Sequence, residues 1–314
     1  MSEKKLLRLC VVILSVALAL QMTADRWMPA VQQLKLGQVL LFLQTGRLVR
    51  YTPAAEQREA GVEIAGISQD KPVFSEADEA LIPLRNDSGK DPDVATALLE
   101  PLQWDLYNDQ PAVLILHSHG SESYTKTEDY TESAAYRTLD TNYNMVSIGD
   151  LVAQELEKAG IRVIHDRTLY DTPSYNDAYV QARAGIQTHL ADNPSIQLVL
   201  DLHRDAATDA NGNQVRYVVS TAEGDAAKLM LVLGANHEGW NSNLALAAKL
   251  QVQLEKICPG ICRTINLRAQ RFNQDLCPNT LLVEVGSTGN TRAEALQAAQ
   301  HLAQAVISLA SGSG

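Results

Sequence analysis

Four consecutive apolar residues, Val113–Leu116, run without a break into His117 and His119, and a carboxylate follows at Glu122. A short, continuous apolar run bounded by turn residues fits a buried strand. This one ends on residues that bind metals. His119 and Glu122 form an H-x-x-E pair, and imidazole nitrogen plus carboxylate oxygen suits Zn²⁺. A third ligand has to come from elsewhere. His203, in residues 198–206 (LVLDLHRDA), is the only other histidine set in the same way at the end of an apolar run.

The rest of the chain from Pro111 onward alternates short apolar runs with helical stretches, the pattern of an α/β protein. Strands are predicted at 113–116, 161–164, 196–202, 215–220, 229–233 and 280–285, and helices at 146–158, 176–190, 243–256 and 293–309. In the first helix Val146, Leu151, Val152 and Leu156 share the inward face, and Gly160 closes it. Residues 196–202 are apolar on both faces, which predicts a central strand. The expected fold class is α/β, with a twisted, mostly parallel or mixed sheet flanked by helices.

Before Pro111 the composition changes. Lys4, Lys5 and Arg8 precede residues 9–20 (LCVVILSVALAL), a run short of the ~20 residues that span a bilayer. Basic residues ahead of an apolar segment predict an inside N-terminus and an exported remainder. Residues 1–25 therefore read as a signal anchor, the alternative being a cleaved signal peptide. Residues 26–104 read as a membrane-proximal stalk and linker. Within them, 38–43 (QVLLFL) is a candidate short helix, 56–93 reads as loosely ordered, and 94–100 is a helix stopped by Pro101. Residues 105–314 form the catalytic domain. The net charge of −11 excludes a nucleic-acid binder, which needs a basic stripe. Of the four cysteines, Cys10 lies in the apolar segment. Cys258 and Cys262 flank a tight loop and are either a disulfide or free thiols in an exported chain, while Cys277 stands apart. No C-x-x-C pair exists to hold zinc.

In open α/β sheets, sites gather at the carboxyl ends of strands. His119, Glu122 and His203 supply three ligands and leave a fourth position open, as a catalytic zinc requires. Such a zinc lowers the pKa of its water from ~16 toward ~7. The base that takes the proton is expected to be Glu284, an acid inside the apolar run 280–285, where it is costly unless paired or functional. The plainer reading of Glu284 is a salt bridge to Arg268 or Arg271. His117 is either an alternative to His119 or a residue that orients it. His165, at a strand end, is expected either to support the site from behind its ligands or to be purely structural, and His189, His237 and His301 to be surface or core residues. A serine hydrolase is excluded by the lack of a G-x-S-x-G elbow.

Five segments carry a resemblance: 117–124 (HSHGSESY), 137–156 (RTLDTNYNMVSIGDLVAQEL), 160–179 (GIRVIHDRTLYDTPSYNDAY), 193–206 (NPSIQLVLDLHRDA) and 271–291 (RFNQDLCPNTLLVEVGSTGNT). In this order they resemble stage II sporulation protein P, a family of cell-wall amidases and endopeptidases, and more broadly the zinc N-acetylmuramoyl-L-alanine amidases. The resemblance implies a zinc amidase-like hydrolase fold. It implies Zn²⁺ held by His119 and His203, with Glu284 as the catalytic glutamate. The family's glutamate ligand lies further along the chain, where this sequence offers only Asp140. The carboxylate ligand is thus Glu122 on the H-x-x-E spacing, or else Asp140. Cys258, Cys262 and Cys277 depart from the family's usual non-thiol residues.

The implied reaction is hydrolysis of the amide between muramic acid and L-alanine in peptidoglycan, with cross-link cleavage besides, during sporulation engulfment. The implied setting is a single-pass membrane protein with its catalytic domain outside the cytoplasm. The implied partners are sporulation protein D, a lytic transglycosylase, and sporulation protein M. Arg204, Arg271, Asn273 and Gln274 are expected either to line the substrate groove or to stabilise loops. The rival functions are a zinc carboxypeptidase, which shares the H-x-x-E…His pattern, and a catalytically inactive wall-binding scaffold.

Overall fold

A computed structural model describes residues 72–311. The apolar segment 9–20, Cys10 and the run 38–43 lie outside the described residues. The strands are β1 (Leu84–Asp87), β2 (Val113–Leu116), β3 (Val163–His165), β4 (Leu198–Asp205), β5 (Val218–Thr221), β6 (Gly224–Ala227), β7 (Leu229–Gly234), β8 (Ile265–Arg268) and β9 (Thr280–Ser287). The α-helices are α1 (Val94–Leu99), α2 (Met145–Lys158), α3 (Ala178–Asp192), α4 (Trp240–Ile257) and α5 (Arg292–Ser311).

Seven strands form one sheet in the order β1-β8-β7-β9-β4-β2-β3. The block β3, β2, β4 and β9 is parallel throughout, and so is the block β1, β8 and β7. The two blocks meet antiparallel at β7 and β9. The sheet is therefore mixed, flanked by helices. β5 and β6 make a separate antiparallel hairpin, so the expected strand at 215–220 stands apart from the main sheet.

Alternation along the strands sorts residues onto two faces. Leu200, Leu202, Leu231, Ile265, Leu267, Val283 and Val285 join one large core with residues of α2, α4 and α5. On the other face Leu114, Leu116 and Val199 pack on Ala182 and Ile186 of α3. α3 covers only the β2–β4 part of this second face. Over β9, β7, β8 and β1 no helix covers it among the described residues, and a cleft of about 1000 Å³ opens there.

The acidic stretch expected to be loosely ordered contributes, within the described residues, a 3₁₀ turn at Glu76–Leu81 and the edge strand β1. Ile82, Ala97, Leu98 and Trp104 are buried in the same core as the later residues. The possible disulfide is not formed: Cys258, Cys262 and Cys277 are free thiols. A carboxylate closes the tight loop instead, because Glu255 accepts from Gly260 N (2.7 Å) and Cys262 N (2.8 Å).

Candidate metal centre

His119 and Glu122 lie in the loop that leaves β2, and His203 lies near the carboxyl end of β4. One ligand atom from each lies within 4.8 Å of the others. Nδ1 of His119 is 3.8 Å from Oε1 of Glu122, and Nδ1 of His203 is 3.7 Å from Oε2 of Glu122. These separations are too long for hydrogen bonds. They suit donors that share an ion, since bonds of about 2.0–2.2 Å in tetrahedral geometry put neighbouring ligands roughly 3.4 Å apart. Glu122 is 5% exposed and His203 3%. Two imidazoles and a carboxylate, nearly dry and mutually unbonded, fit a divalent transition metal.

The surrounding residues hold this geometry. Asp201, two residues before His203 on the same face of β4, stands 2.9 Å from His203 Nε2 and leaves Nδ1 toward Glu122. That contact is short but off the ring N–H direction, and His203 Nε2 has no well-aligned hydrogen bond. It therefore acts through charge. Asp201 also accepts from Ser118 N (2.8 Å) and Ser118 Oγ (2.6 Å), which ties the ligand loop to β4. Asp171 accepts from Ser121 Oγ at 2.5 Å, a second tie. Buried Arg204 donates to Ser123 O and Tyr136 O, both at 2.7 Å, and its backbone N donates to Glu122 Oε2 at 3.2 Å. The Tyr175 ring stacks on His119 at 4.1 Å, and the Tyr179 ring lies parallel to His203 at 6.1 Å.

Glu284 is in register with His203 across the parallel β4–β9 pair. Its Oε2 is buried with no hydrogen-bond partner, and no salt bridge to Arg268 or Arg271 forms. Burial, with Glu122 and Asp205 nearby, pushes its carboxyl up to about 8 against the opposing pull of His203. For His203, burial works toward a neutral ring, but Asp201, Glu122 and Glu284 overturn this and raise it to about 10. Burial and then His203 lower His119 to about 3. The acids of the centre thus attract one positive charge, and without a metal a proton on His203 supplies it.

His117 points away from this group. It follows the last residue of β2, so strand alternation no longer pairs it with His119. Its Nδ1 lies 3.0 Å from Leu202 O and its Nε2 2.9 Å from His165 Nε2, whose Nδ1 faces Asp150 at 3.0 Å. A Cβ at Gly149 of α2 would lie 2.6 Å from His117 Nε2, so a glycine is required where this histidine pair packs. Asp140 is exposed and accepts from Asn142. Gln274 bonds the β7 backbone, Asn273 donates to Tyr179 O, and Arg271 pairs with Asp275. With Arg204, these residues stabilise loops around the centre. Sequence reasoning missed Asp201, Tyr175 and Tyr179. The i, i+2 spacing of Asp201 and His203 in an otherwise apolar strand was the available signal.

The model of the stage II sporulation protein P family matches residues 50–307. The stage II sporulation protein P of Bacillus subtilis (strain 168) is 27% identical over 215 residues, which are 64% of this chain and 51% of that protein. The chain thus matches about half the length of this relative. Among solved structures, the N-acetylmuramoyl-L-alanine amidase from Clostridium difficile 630 is similar at a TM-score of 0.40 and 19% identity, covering 66% of this chain and 100% of that one. The amidase AmiC2 of Nostoc punctiforme is similar at 0.38 and 13%, covering 63% and 97%. Those two superpositions are too loose to transfer residues. The family match runs through both strand ends that carry the histidines and through the Glu284 strand, and the chain belongs to the stage II sporulation protein P family.

Proposed function

We propose that the chain is a zinc-dependent peptidoglycan hydrolase that cleaves the amide between the lactyl group of muramic acid and L-alanine. One observation carries the reading: His119, Glu122 and His203 converge in a nearly dry pocket, and an unpaired, protonatable Glu284 stands one strand away in register with His203. His119, Glu122 and His203 are the residues that would hold the metal. When bound, zinc acidifies a water and polarises the scissile carbonyl.

The remaining work falls to the chain. Glu284 takes the water's proton and passes it to the leaving amine. Its buried, unpaired carboxylate, in register with His203, stands where such a transfer needs a base. Asp201 fixes the orientation of His203, and Arg204 fixes the loop that carries Glu122. Tyr175 and Tyr179 screen the histidines from water. Cleavage of peptide cross-links by the same groups is part of the proposal. So is a setting at a membrane during sporulation, with a lytic transglycosylase that consumes the stripped glycan.

Digestion of purified peptidoglycan by the full chain tests this, with products read by mass spectrometry. Stem peptides free of muramic acid are expected with zinc, and are lost with chelator and in Glu284→Ala. Release of single amino acids would instead make the enzyme a carboxypeptidase. No product from folded, zinc-loaded protein, with and without a transglycosylase, would make it a wall-binding scaffold.

A further inference from the structure

Among the described residues no helix covers the second face of the sheet over β9, β7, β8 and β1, and the β5 residue Val218 reaches only into the cleft's lining. Strands of parallel blocks are usually covered on both faces. β8 reads Ile265, Asn266, Leu267, Arg268, with its apolar residues buried and its polar ones partly exposed, the alternation of a strand with one wet face. Register places Leu282, Val232, Asn266 and Arg85 in one row across this face, and Glu284 beside Met230 in the next. The cleft is therefore continuous with the catalytic centre through Glu284 and Tyr179, while Phe272 and Tyr217 also line it.

Its charge runs against that of the chain. The net charge is −11, yet five basic residues line the cleft against two acids, Asp205 and Glu284. Three of the five are neutralised: Arg216 by Asp225 and Glu294, Arg263 by Asp205, and Arg85 by Asp87. Lys228 and Arg268 have no carboxylate partner among the described residues. Lys228 immediately precedes β7, and Arg268 is in register with Gly234 at the strand's other end. Six residues of strand separate these levels, roughly 20 Å. Asn266, between them, keeps its Oδ1 buried and without a partner, an acceptor that suits a peptide N–H.

We propose that this helix-free half-face is a trough for an extended peptide bearing free carboxylates, with Lys228 and Arg268 binding the carboxylates and Asn266 a backbone N–H. That the peptide is the stem peptide of the wall rests on the hydrolase reading above. An extended peptide of four or five residues spans about 13–18 Å, and the two long side chains close the remainder. Met230, Val232 and Leu282 give it an apolar floor that suits small side chains such as alanine. Arginine matches a carboxylate with two parallel N–H groups, and lysine with a point charge.

Calorimetric titration of the zinc-loaded full chain tests the trough. The probes are a synthetic L-alanyl-γ-D-glutamyl pentapeptide with free carboxylates and the same peptide with every carboxylate amidated. The acid is expected to bind more tightly by about tenfold per cation engaged, a margin that shrinks with salt. In Lys228→Ala/Arg268→Ala the acid-to-amide ratio falls toward one, and in Lys228→Arg/Arg268→Lys it returns in large part. Melting curves verify that each variant is folded. Equal binding of the two probes by wild type, or a ratio untouched by the double substitution, would overturn the proposal. If the acid is preferred as expected but intact wall is not cut, the trough stands and the hydrolase reading falls. If wall is cut and the probes bind equally, the reverse holds.

Discussion

At the scale of single residues, the centre is a contest between protons and a cation for the same acids. His203 is raised to about 10, so it carries a proton at neutral pH that a metal must displace. Zinc affinity is therefore expected to rise by at least about tenfold per pH unit between pH 6 and 9, with at least one proton released per ion because Glu284 too holds a proton below about 8, as titration in buffers of different protonation enthalpy would read. Asp201→Asn removes the charge behind His203 and is expected to weaken zinc binding by about 10–100-fold, checked by competition with a chelating dye. Glu284 gives the opposite sign in stability. Its folded pKa of about 8 lies above the ordinary value of 4.5, so the stability it contributes is complete below pH 4.5 and is lost as pH rises through 8. Metal-free Glu284→Gln should accordingly melt above wild type at pH 9, by a margin worth at least about 1 kcal/mol that closes toward pH 4.5.

At the scale of elements, the site depends on loops that the sheet holds in place. A Cβ at Gly234 would meet the carbonyls of Arg271 and Gln270 at 2.6 and 2.7 Å. Gly234→Ala is expected to push the 270–274 loop off β7 and to lower stability by about 1–3 kcal/mol, measured by chemical denaturation. The elements legible in the sequence are those whose burial is one-sided or complete. β2, β4 and β9 are apolar runs, and α2 carries a clear inward stripe. β1 and β8 were not legible. Each is four residues long: half of β8, INLR, is polar because one face meets the cleft, and three of the four residues of β1, LRND, are polar because this edge strand is exposed along its length. β6, GDAA, has no β-branched residue, and its pairing comes from the hairpin turn. For the candidate site, the H-x-x-E pair and the strand-end His203 were visible as residue types at fixed spacing. The rejection of His117 rests on the resemblance, because in the residues themselves it depends on where β2 ends and on a partner, His165, 48 residues away.

At the scale of the whole molecule, two parallel blocks joined antiparallel put the carboxyl end of β4 beside a half-covered sheet face. The proposed cation site then opens onto a trough whose Lys228 and Arg268 have no carboxylate partner among the described residues. Ion binding links β2, β4 and the loop between β2 and α2, so its effect is global. Zinc at a thousandfold excess over its Kd is expected to add about 4 kcal/mol, an increase in melting temperature of roughly 10 °C by calorimetry. His203→Ala should abolish that increase. The most direct test of the account is anomalous diffraction at the zinc edge from crystals of the zinc-loaded protein. The account predicts one peak within about 2.2 Å of His119, Glu122 and His203, with Glu284 beside it and outside the ligand set. A peak on His117 or Asp140, or none at this position, would contradict it.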